Sequence, residues 1–586
     1  MKAFPASWLG RKNMLNKLIN RLKSLFPGRQ LGAYALVGAW NTLFGYGLYA
    51  ALVWGLDGKL KFAYMWANVL SNFIAITQAF FLYKFFVFKT KGHYWQEYIK
   101  CWMVYGAAAL IGLAVLPLLV ETLRALLPLA YKTYAPYAGG ALLTALTVLC
   151  SFLGLKNFSF RTVENGLFAR VKERWALQTQ PQRRVMFLGL ILAAGFLIAL
   201  AVCALGLILH WQYYPYTTFL FDPRYRFTDL YETLILARGH TAGLNYFPLL
   251  MGFMRAVSQG PERILCAVFV SLWVAFYVSI VYKGLPQLPH KAGWTVLLAV
   301  GSFPLWLLAD RANLEGFVFM ACAGFVISFW RGRMNWAAFW LALAVNMKPH
   351  PAVFMVLFIR DKQYKALAKW LVLCVLIGAL CSWAAHFDWL SFQRNVQTFS
   401  DWQQFLPFGL EFSHTFFNLL RLPVFLATQN GLPDSWQATV AFSRLVAPGY
   451  AVAMLGLFAF ISAHVVFVRP AFWKALLLLT LAEVFFPFVS HDYTLIHLIL
   501  PVLFFLNAPP MPPKQSVFIT ACLAVLLIPM NFWTHSFYHS LMYDLVLNAG
   551  TFLRPLAAGV LLAYLLKDFS FARLKTGIKN YFSAKK

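Results

Sequence analysis

The chain carries one motif twice: Phe80-Phe-Leu-Tyr-Lys84-Phe-Phe-Val-Phe-Lys89 returns 72 residues later as Phe152-Leu-Gly-Leu-Lys156-Asn-Phe-Ser-Phe-Arg161. Each copy closes a long apolar run with aromatic residues and a cation. Taken alone, such an ending marks the interfacial end of a membrane helix, with the cation reaching toward the headgroups. The shared spacing instead indicates a duplicated two-helix unit, a parallel repeat of a kind found in transporters, where substrate sites form between the repeats.

Composition extends the membrane assignment to the whole chain. Of the 586 residues, 61% are hydrophobic and only 12% are charged, with a mean hydropathy of +0.65. Apolar runs long enough to cross about 30 Å of hydrocarbon recur from the first block to the last. We therefore predict an all-α polytopic membrane protein, with a four-helix parallel-repeat domain followed by a bundle of about eleven to twelve membrane segments.

The formal charge of +30 does not indicate a nucleic-acid partner. Lys and Arg are confined to short segments between apolar runs, which is the pattern that the positive-inside rule produces. This pattern predicts that both termini are cytoplasmic. The eight cysteines all lie inside apolar runs without CxxC spacing, so we expect packing residues rather than disulfides or a zinc site.

Four parts follow from these patterns. Residues 1–29 are predicted to form an amphipathic cytoplasmic helix, which suits either the membrane surface or a partner protein. Residues 30–161 form the four-helix domain and 162–185 a basic cytoplasmic linker. Residues 186–586 form the larger bundle.

Polar residues inside the first four helices are candidates for a translocation path, because polar groups in hydrocarbon need internal partners. Hydrogen bonding between helices would explain the same residues. The candidates are Asn41, Asn68, Asn72, Gln78, Lys84 and Lys156.

The first domain resembles the GtrA-like family. Tyr34-Ala-Leu-Val-Gly38-Ala-Trp-Asn41-Thr is similar to the first-helix signature of that family, and the two aromatic-basic endings are similar to its repeats. The resemblance covers residues 30 to 161. It implies a role in moving polyprenyl-phosphate-linked monosaccharides across a bacterial inner membrane.

In the larger bundle, residues 186–586, most polar residues lie in predicted outward loops. These loops are 211–261, 310–313, 387–441, 490–493 and 535–544. The first of these contains Phe221-Asp222-Pro-Arg224-Tyr-Arg226-Phe-Thr-Asp229, in which two carboxylates neighbour two arginines. Sugar transfer from a lipid phosphate needs a carboxylate base and cations that hold the leaving phosphate. Solvated ion pairs of little energetic value remain the alternative.

The order of motifs in this block resembles GT-C glycosyltransferases, most closely the family-87, mannosyltransferase-like branch. The matching runs are Thr228-Asp229-Leu-Tyr-Glu, Tyr246-Phe-Pro248, Asp310-Arg311-Ala-Asn313-Leu314, Asn346-Met-Lys348-Pro349-His-Pro351, Ser413-His414-Thr and Ser490-His491-Asp492-Tyr493. The resemblance implies an inverting transferase in which Asp229 is the catalytic base, with Asp222 as the rival. Candidates for binding the donor phosphate or sugar are Arg224, Arg226, Tyr246, Asp310, Arg311, Asn313, Lys348, His350 and His491.

Together these patterns predict an enzyme that brings a polyprenyl-phosphate monosaccharide outward and transfers the sugar, on the periplasmic side, to an envelope glycan or glycolipid. Membrane lipids are the other expected partners. A pure lipid-linked-sugar transporter or scaffold is the alternative, and the first domain could serve only as an anchor. No cofactor or metal is predicted, although a divalent ion near Asp222 and Asp229 stays open. We expect His386, His414, His535 and His539 to be hydrogen-bonded loop residues.

Overall fold

The computed structural model describes residues 28–56, 63–90, 94–95, 97–105, 142, 151–152, 154–160, 177–208, 227–238, 246–405, 413–427, 432–530, 534–539, 544–567 and 569–583. The chain divides into two compact units, residues 1–178 and 179–586. This boundary falls inside the predicted linker. The predicted N-terminal helix lies outside the described residues, except that its last two positions begin the first helix.

The first unit is built around the two copies of the repeated motif. Helices α1 (Gly28–Leu56) and α2 (Ala63–Leu82) are described, and α2 continues into a π-helical turn, Tyr83–Phe88. The second copy forms the same kind of turn at Leu155–Ser159. The two copies stack directly on each other, since the ring centroids of Phe88 and Phe160 lie 4.8 Å apart.

The second unit is almost entirely helical. Its elements in chain order are α3 (Gln180–Ile208), α4 (Thr228–Arg238), α5 (Pro248–Val257), α6 (Glu262–Gly284), α7 (Lys291–Gly301), α8 (Phe303–Arg311), α9 (Glu315–Trp330), α10 (Met334–Met347), a 3-10 turn (His350–Phe354), α11 (Met355–Arg360), α12 (Tyr364–Ala384), α13 (Trp389–Phe405), α14 (Phe416–Ala427), α15 (Leu432–Ala463), a π-helical turn (His464–Val468), α16 (Phe472–Phe485), a 3-10 segment (Asp492–Leu498), α17 (Ile499–Leu506), α18 (Pro513–Leu527), β1 (Thr534–His539), β2 (Asp544–Asn548), α19 (Gly550–Leu566) and α20 (Phe571–Ser583).

Several helices have the length and composition of membrane spans. Among the described residues, Gln180–Ala201, Glu262–Gly284, Tyr364–Ala384 and Thr439–Val468 meet that test alone. Helices α7 and α8 meet it as a pair, but a 60° bend separates them. The helical, membrane-embedded character predicted from composition is therefore confirmed, whereas the predicted straight span at 293–309 is broken at Ser302.

Two predicted loops contain regular structure. The segment 387–441 includes α13, α14 and the start of α15. Its first helix is too polar for a span, which is why hydropathy alone indicates a loop. The predicted loop at 535–544 overlaps the two antiparallel strands β1 and β2, in which Thr534 pairs with Asn548 and His539 with Asp544. This strand pair is an exception to the all-α prediction.

The core of the second unit forms around α9 and α16, whose side chains are buried on nearly every face. Gly316 at the start of α9 allows this packing: a Cβ there would meet the Trp273 ring at 2.4 Å. Only glycine lets α6 approach so closely. Glu315, the residue before it, is fully buried in the same core.

Candidate functional site

Asp229 lies in the first turn of α4 and is held by the turn between α8 and α9. Arg311 Nη2 donates to Asp229 Oδ1 at 2.6 Å, and Asn313 Nδ2 donates to Oδ2 at 2.6 Å. The backbone N–H of Phe227 donates to the carbonyl of Asp310 at 2.8 Å, which fixes the turn against the start of α4. The Asp229 side chain is 15% exposed and that of Arg311 is 26% exposed. This carboxylate is therefore oriented by two donors and still reachable.

A second carboxylate lies behind the first. Asn313 Oδ1 accepts the backbone N–H of Glu315 at 2.9 Å, so one asparagine links the Asp229 carboxylate to the main chain of Glu315. Glu315 Oε2 accepts from Lys348 Nζ at 2.6 Å, with the Glu315 side chain buried and that of Lys348 20% exposed. The rings of Tyr246 and Tyr493 lie 5.8 and 5.7 Å from the same ammonium. The cation thus sits between two aromatic faces at the break after α10.

Two histidines bridge Glu315 to a third carboxylate, Glu483 of α16. His350 contacts Glu315 Oε1 through Nε2 at 3.2 Å and Glu483 Oε1 through Nδ1 at 2.9 Å. His497 contacts the same two oxygens, at 3.0 Å through Nε2 and at 3.2 Å through Nδ1. The four side chains form a closed arrangement of alternating glutamate and histidine, which we call the Glu–His ring.

His491 lies at the corner beside Asp229 and Arg311. Its pKa is lowered to about 4, chiefly by burial, with Arg311 lowering it further and Asp229 opposing the shift. Its ring lies 5.6 Å from that of Tyr493, and its backbone pairs with Ser413. His491 is therefore a neutral hydrogen-bonding group near pH 7, not a cation for binding phosphate.

Asp492, the next residue of this corner, contacts two other buried side chains, His414 and Arg554. His414 Nδ1 lies 2.9 Å from Asp492 Oδ1, and Arg554 of α19 contacts Oδ2. All three side chains are completely buried. His414 is thus an internal residue of the site, which corrects the expectation of a surface loop histidine. Removal of one partner from such a pair leaves an uncompensated charge.

The structure brings together most of the site residues predicted for the second block. Asp229, Tyr246, Arg311, Asn313, Lys348, His350 and His491 belong to the connected cluster, and Asp310 is buried in the same turn. Asp222, Arg224 and Arg226 lie outside the described residues. Sequence reasoning missed Glu315, Glu483, His497 and Arg554. An ionisable residue within an apolar run was the available signal for these four.

The first unit contains its own buried ion pair. Lys84, within the first π-helical turn, contacts Glu97, and the lysine side chain is fully buried. Asn41 Oδ1 and Gln78 Oε1 are buried without a hydrogen-bond partner among the described residues. Lys156 of the second copy lies over the Phe152 ring at 5.9 Å. Asn68 and Asn72 lie on α2, and their side chains are outside the description.

The fold and composition define a multi-spanning membrane protein whose second unit contains a connected cluster of charged side chains. Comparison with known families adds an assignment for the first unit: residues 33–160 match the family model described as the GtrA/DPMS transmembrane domain. No curated protein and no solved structure matches the chain.

Proposed function

We propose that the second unit transfers a sugar from a polyprenyl phosphate to a hydroxyl acceptor, and that the first unit moves this lipid-linked sugar across the membrane. The GtrA/DPMS match supports the role of the first unit, because this family suggests the handling of polyprenyl-phosphate sugars. The observation that carries the transferase proposal is the Asp229 carboxylate, held by Arg311 and Asn313 at a partly exposed position.

Asp229 has the environment of a general base. Two donors fix the carboxylate in orientation, and each oxygen keeps a lone pair that can accept a hydroxyl proton. Arg311 forms an ion pair with this carboxylate. Preorganisation of this kind favours a reaction in which the acceptor hydroxyl must approach along one direction.

The cations around Asp229 suit a phosphate leaving group. The guanidinium of Arg311 and the ammonium of Lys348 are 26% and 20% exposed, and both belong to the cluster around Asp229. Arginine binds phosphate oxygens in pairs, whereas lysine acts as a point charge. Tyr246 and Tyr493 flank Lys348 and offer aromatic faces on which a sugar ring can stack.

The reaction that these groups support is a direct displacement at the anomeric carbon. The acceptor oxygen forms the new bond as the bond from carbon to phosphate oxygen breaks, and the acceptor proton passes to Asp229. Polyprenyl phosphate leaves with its negative charge next to Arg311 and Lys348. One displacement inverts the anomeric configuration. The proposed acceptor is an envelope glycan or glycolipid at the periplasmic face of a bacterial inner membrane.

The test is sugar transfer by the purified full-length protein, with a panel of radiolabelled polyprenyl-phosphate hexoses and pentoses and with extracted envelope lipids and glycans as acceptors. Asp229→Asn is expected to lower turnover by about 10³-fold while donor binding is retained, since general-base catalysis contributes about 10²–10⁴-fold. Asp388→Asn is the matched control, because Asp388 is exposed and only caps the start of α13.

Two results would overturn the assignment. Full turnover in Asp229→Asn would exclude this carboxylate as the base and favour Asp222. No transfer from any donor, together with donor binding, would favour a transporter without transferase chemistry.

A further inference from the structure

A buried cysteine, Cys322, lies beside two members of the Glu–His ring, and the proposed transfer reaction uses none of these three side chains. Cys322 of α9 lies two helical turns after Glu315, and its thiol faces Glu483 and His497. One ligand atom from each of Cys322, Glu483 and His497 lies within 4.8 Å of the other two. All three residues are buried.

One atom of this group is buried without a partner. Glu483 Oε2 makes no hydrogen bond with any residue that the structure describes. A buried carboxylate oxygen that has lost its hydration and gained no hydrogen bond is destabilising. His497 Nε2 is engaged by Glu315, and Nδ1 lies 3.2 Å from Glu483 Oε1, so an ion bound through Nδ1 would share this carboxylate.

From these observations we infer that Cys322, Glu483 and His497 form a binding site for a zinc ion. The donor set suits this metal, since thiolate, imidazole and carboxylate are the ligands that zinc takes in proteins. His350 contacts the same glutamate through Nδ1 at 2.9 Å and so supports this ligand without being one itself. This site is separate from Asp229 and goes beyond the proposed transfer reaction.

The charges of the cluster support a divalent cation. Glu315 and Glu483 bring two negative charges into the core, and Lys348 supplies one positive charge. Apart from the histidines, the cluster carries one negative charge, which in a buried site must be compensated by a proton on the Glu–His ring or by a bound cation. Zinc with the Cys322 thiolate and Glu483 is neutral, and Glu315 with Lys348 is neutral as well. The thiol proton is released to solvent as the ion binds.

To bind zinc, the three ligand atoms need to move only a small distance toward one another. Zinc bonds of about 2.3 Å to sulfur and about 2.0–2.1 Å to nitrogen place tetrahedral ligand atoms roughly 3.5 Å apart. Side-chain rotation within the present spacing can provide this change. Because the three ligands come from α9, α16 and the segment Asp492–Leu498, a bound ion would join the elements that position Glu315 and Tyr493.

The test uses the full-length protein in detergent, stripped with a chelator and then titrated with Zn²⁺ or Co²⁺ alone. We expect one ion bound per chain and, with Co²⁺, the near-ultraviolet absorption band of a cobalt–thiolate bond. Cys322→Ser should remove that band and weaken zinc binding by about 10–100-fold or more, as expected for the loss of a metal ligand or its support. Zinc should raise the melting temperature of the wild type and not that of Cys322→Ser.

Cys522→Ser is the matched control, because Cys522 is also a buried cysteine in a helix of the same unit. It should keep the cobalt band, the zinc affinity and the zinc-dependent rise in melting temperature. The proposal is overturned if the wild type binds no stoichiometric ion, or if Cys322→Ser and Cys522→Ser bind zinc equally well. The first of these results would mean that the Glu–His ring balances its charge by a proton shared between the histidines.

Discussion

The two units differ in how they place charge inside an apolar protein. The described part of the first unit has a buried Lys84–Glu97 pair in a core of stacked aromatic rings. In the described part of the second unit, Asn313 links Asp229 to the main chain of Glu315, and two histidines bridge Glu315 and Glu483. Arg311 and Lys348 supply cations to Asp229 and Glu315. A pair whose lysine is fully buried suits a scaffold or a path, whereas a connected and partly exposed cluster suits chemistry.

The two units also differ in how easily they are identified from sequence. The first unit contains a repeated local pattern, and a family model matches it over residues 33–160. The site of the second unit is assembled from α4, the turn after α8, α9, the break after α10, α16 and the corner at 490–493. Each contributes between one and three side chains. Local sequence patterns therefore describe the first unit better than the second.

The largest expected effect concerns stability. Arg554→Met should destabilise the second unit by about 3–5 kcal/mol, because it leaves the Asp492 carboxylate buried without its cation. Hydrogen exchange measured along the chain should show faster exchange in the second unit while the first unit is unchanged. Lys84→Met should instead speed hydrogen exchange in the first unit and leave the second unit unchanged. This effect should be smaller, because the Glu97 side chain is 10% exposed.

Arg573→Met is the control for that comparison, because Arg573 is exposed on α20. Equal exchange in the Arg554 and Arg573 variants would mean that the Asp492 pair does not stabilise the second unit. Faster exchange in both units after either substitution would contradict the separation drawn above.

The next effect is kinetic. Asn313→Ala removes the donor to Asp229 and the acceptor for the Glu315 backbone, so the base is no longer held in one orientation. We expect kcat for transfer to fall on the order of 10²-fold with little change in KM, as for a misplaced catalytic group. Asn335→Ala, an exposed asparagine that accepts from Lys369, should leave kcat unchanged. An unchanged kcat in Asn313→Ala would contradict the positioning role.

The smallest effect is a pH dependence. The pKa of His491 is lowered from 6.5 to about 4, so the unfolded chain takes up a proton near pH 6.5 and the folded chain does not. Stability is therefore lost as pH falls from about 6.5 toward 4. His491→Asn should reduce this loss by a few degrees in melting temperature, whereas His290→Asn, at an exposed histidine, should not. An identical pH profile in both variants would contradict the burial of a neutral His491.

The sequence predicted the parts of the site that lie near helix ends. Asp229, Arg311, Asn313, Lys348 and His491 follow or precede apolar runs, where polar residues are conspicuous. The break after α10 was predictable because two prolines follow Lys348. Polarity and placement in predicted outward loops drew attention to these positions, and the resemblance to GT-C glycosyltransferases implied their roles. The structure adds the contacts among them.

The residues that escaped prediction lie within apolar runs. Glu483 is surrounded by leucine, alanine and phenylalanine on α16, so its neighbours indicate only a buried helix. Its partner His350 lies 133 residues away in the sequence, and no short motif joins the two. Arg554 and Asp492 also lie far apart in the sequence, with a separation of 62 residues, so no local motif indicates their pairing. Tertiary packing alone brings such groups together.

The most direct measurement is transfer in proteoliposomes that contain the full-length protein, with the acceptor on one side and the lipid-linked donor supplied to either leaflet. Lys84→Met should abolish transfer when the donor starts on the opposite leaflet and leave it intact when the donor starts on the acceptor's leaflet. Asp229→Asn should abolish transfer in both arrangements. Equal loss from both leaflets in Lys84→Met, or transfer that survives Asp229→Asn, would contradict the division of work between the two units.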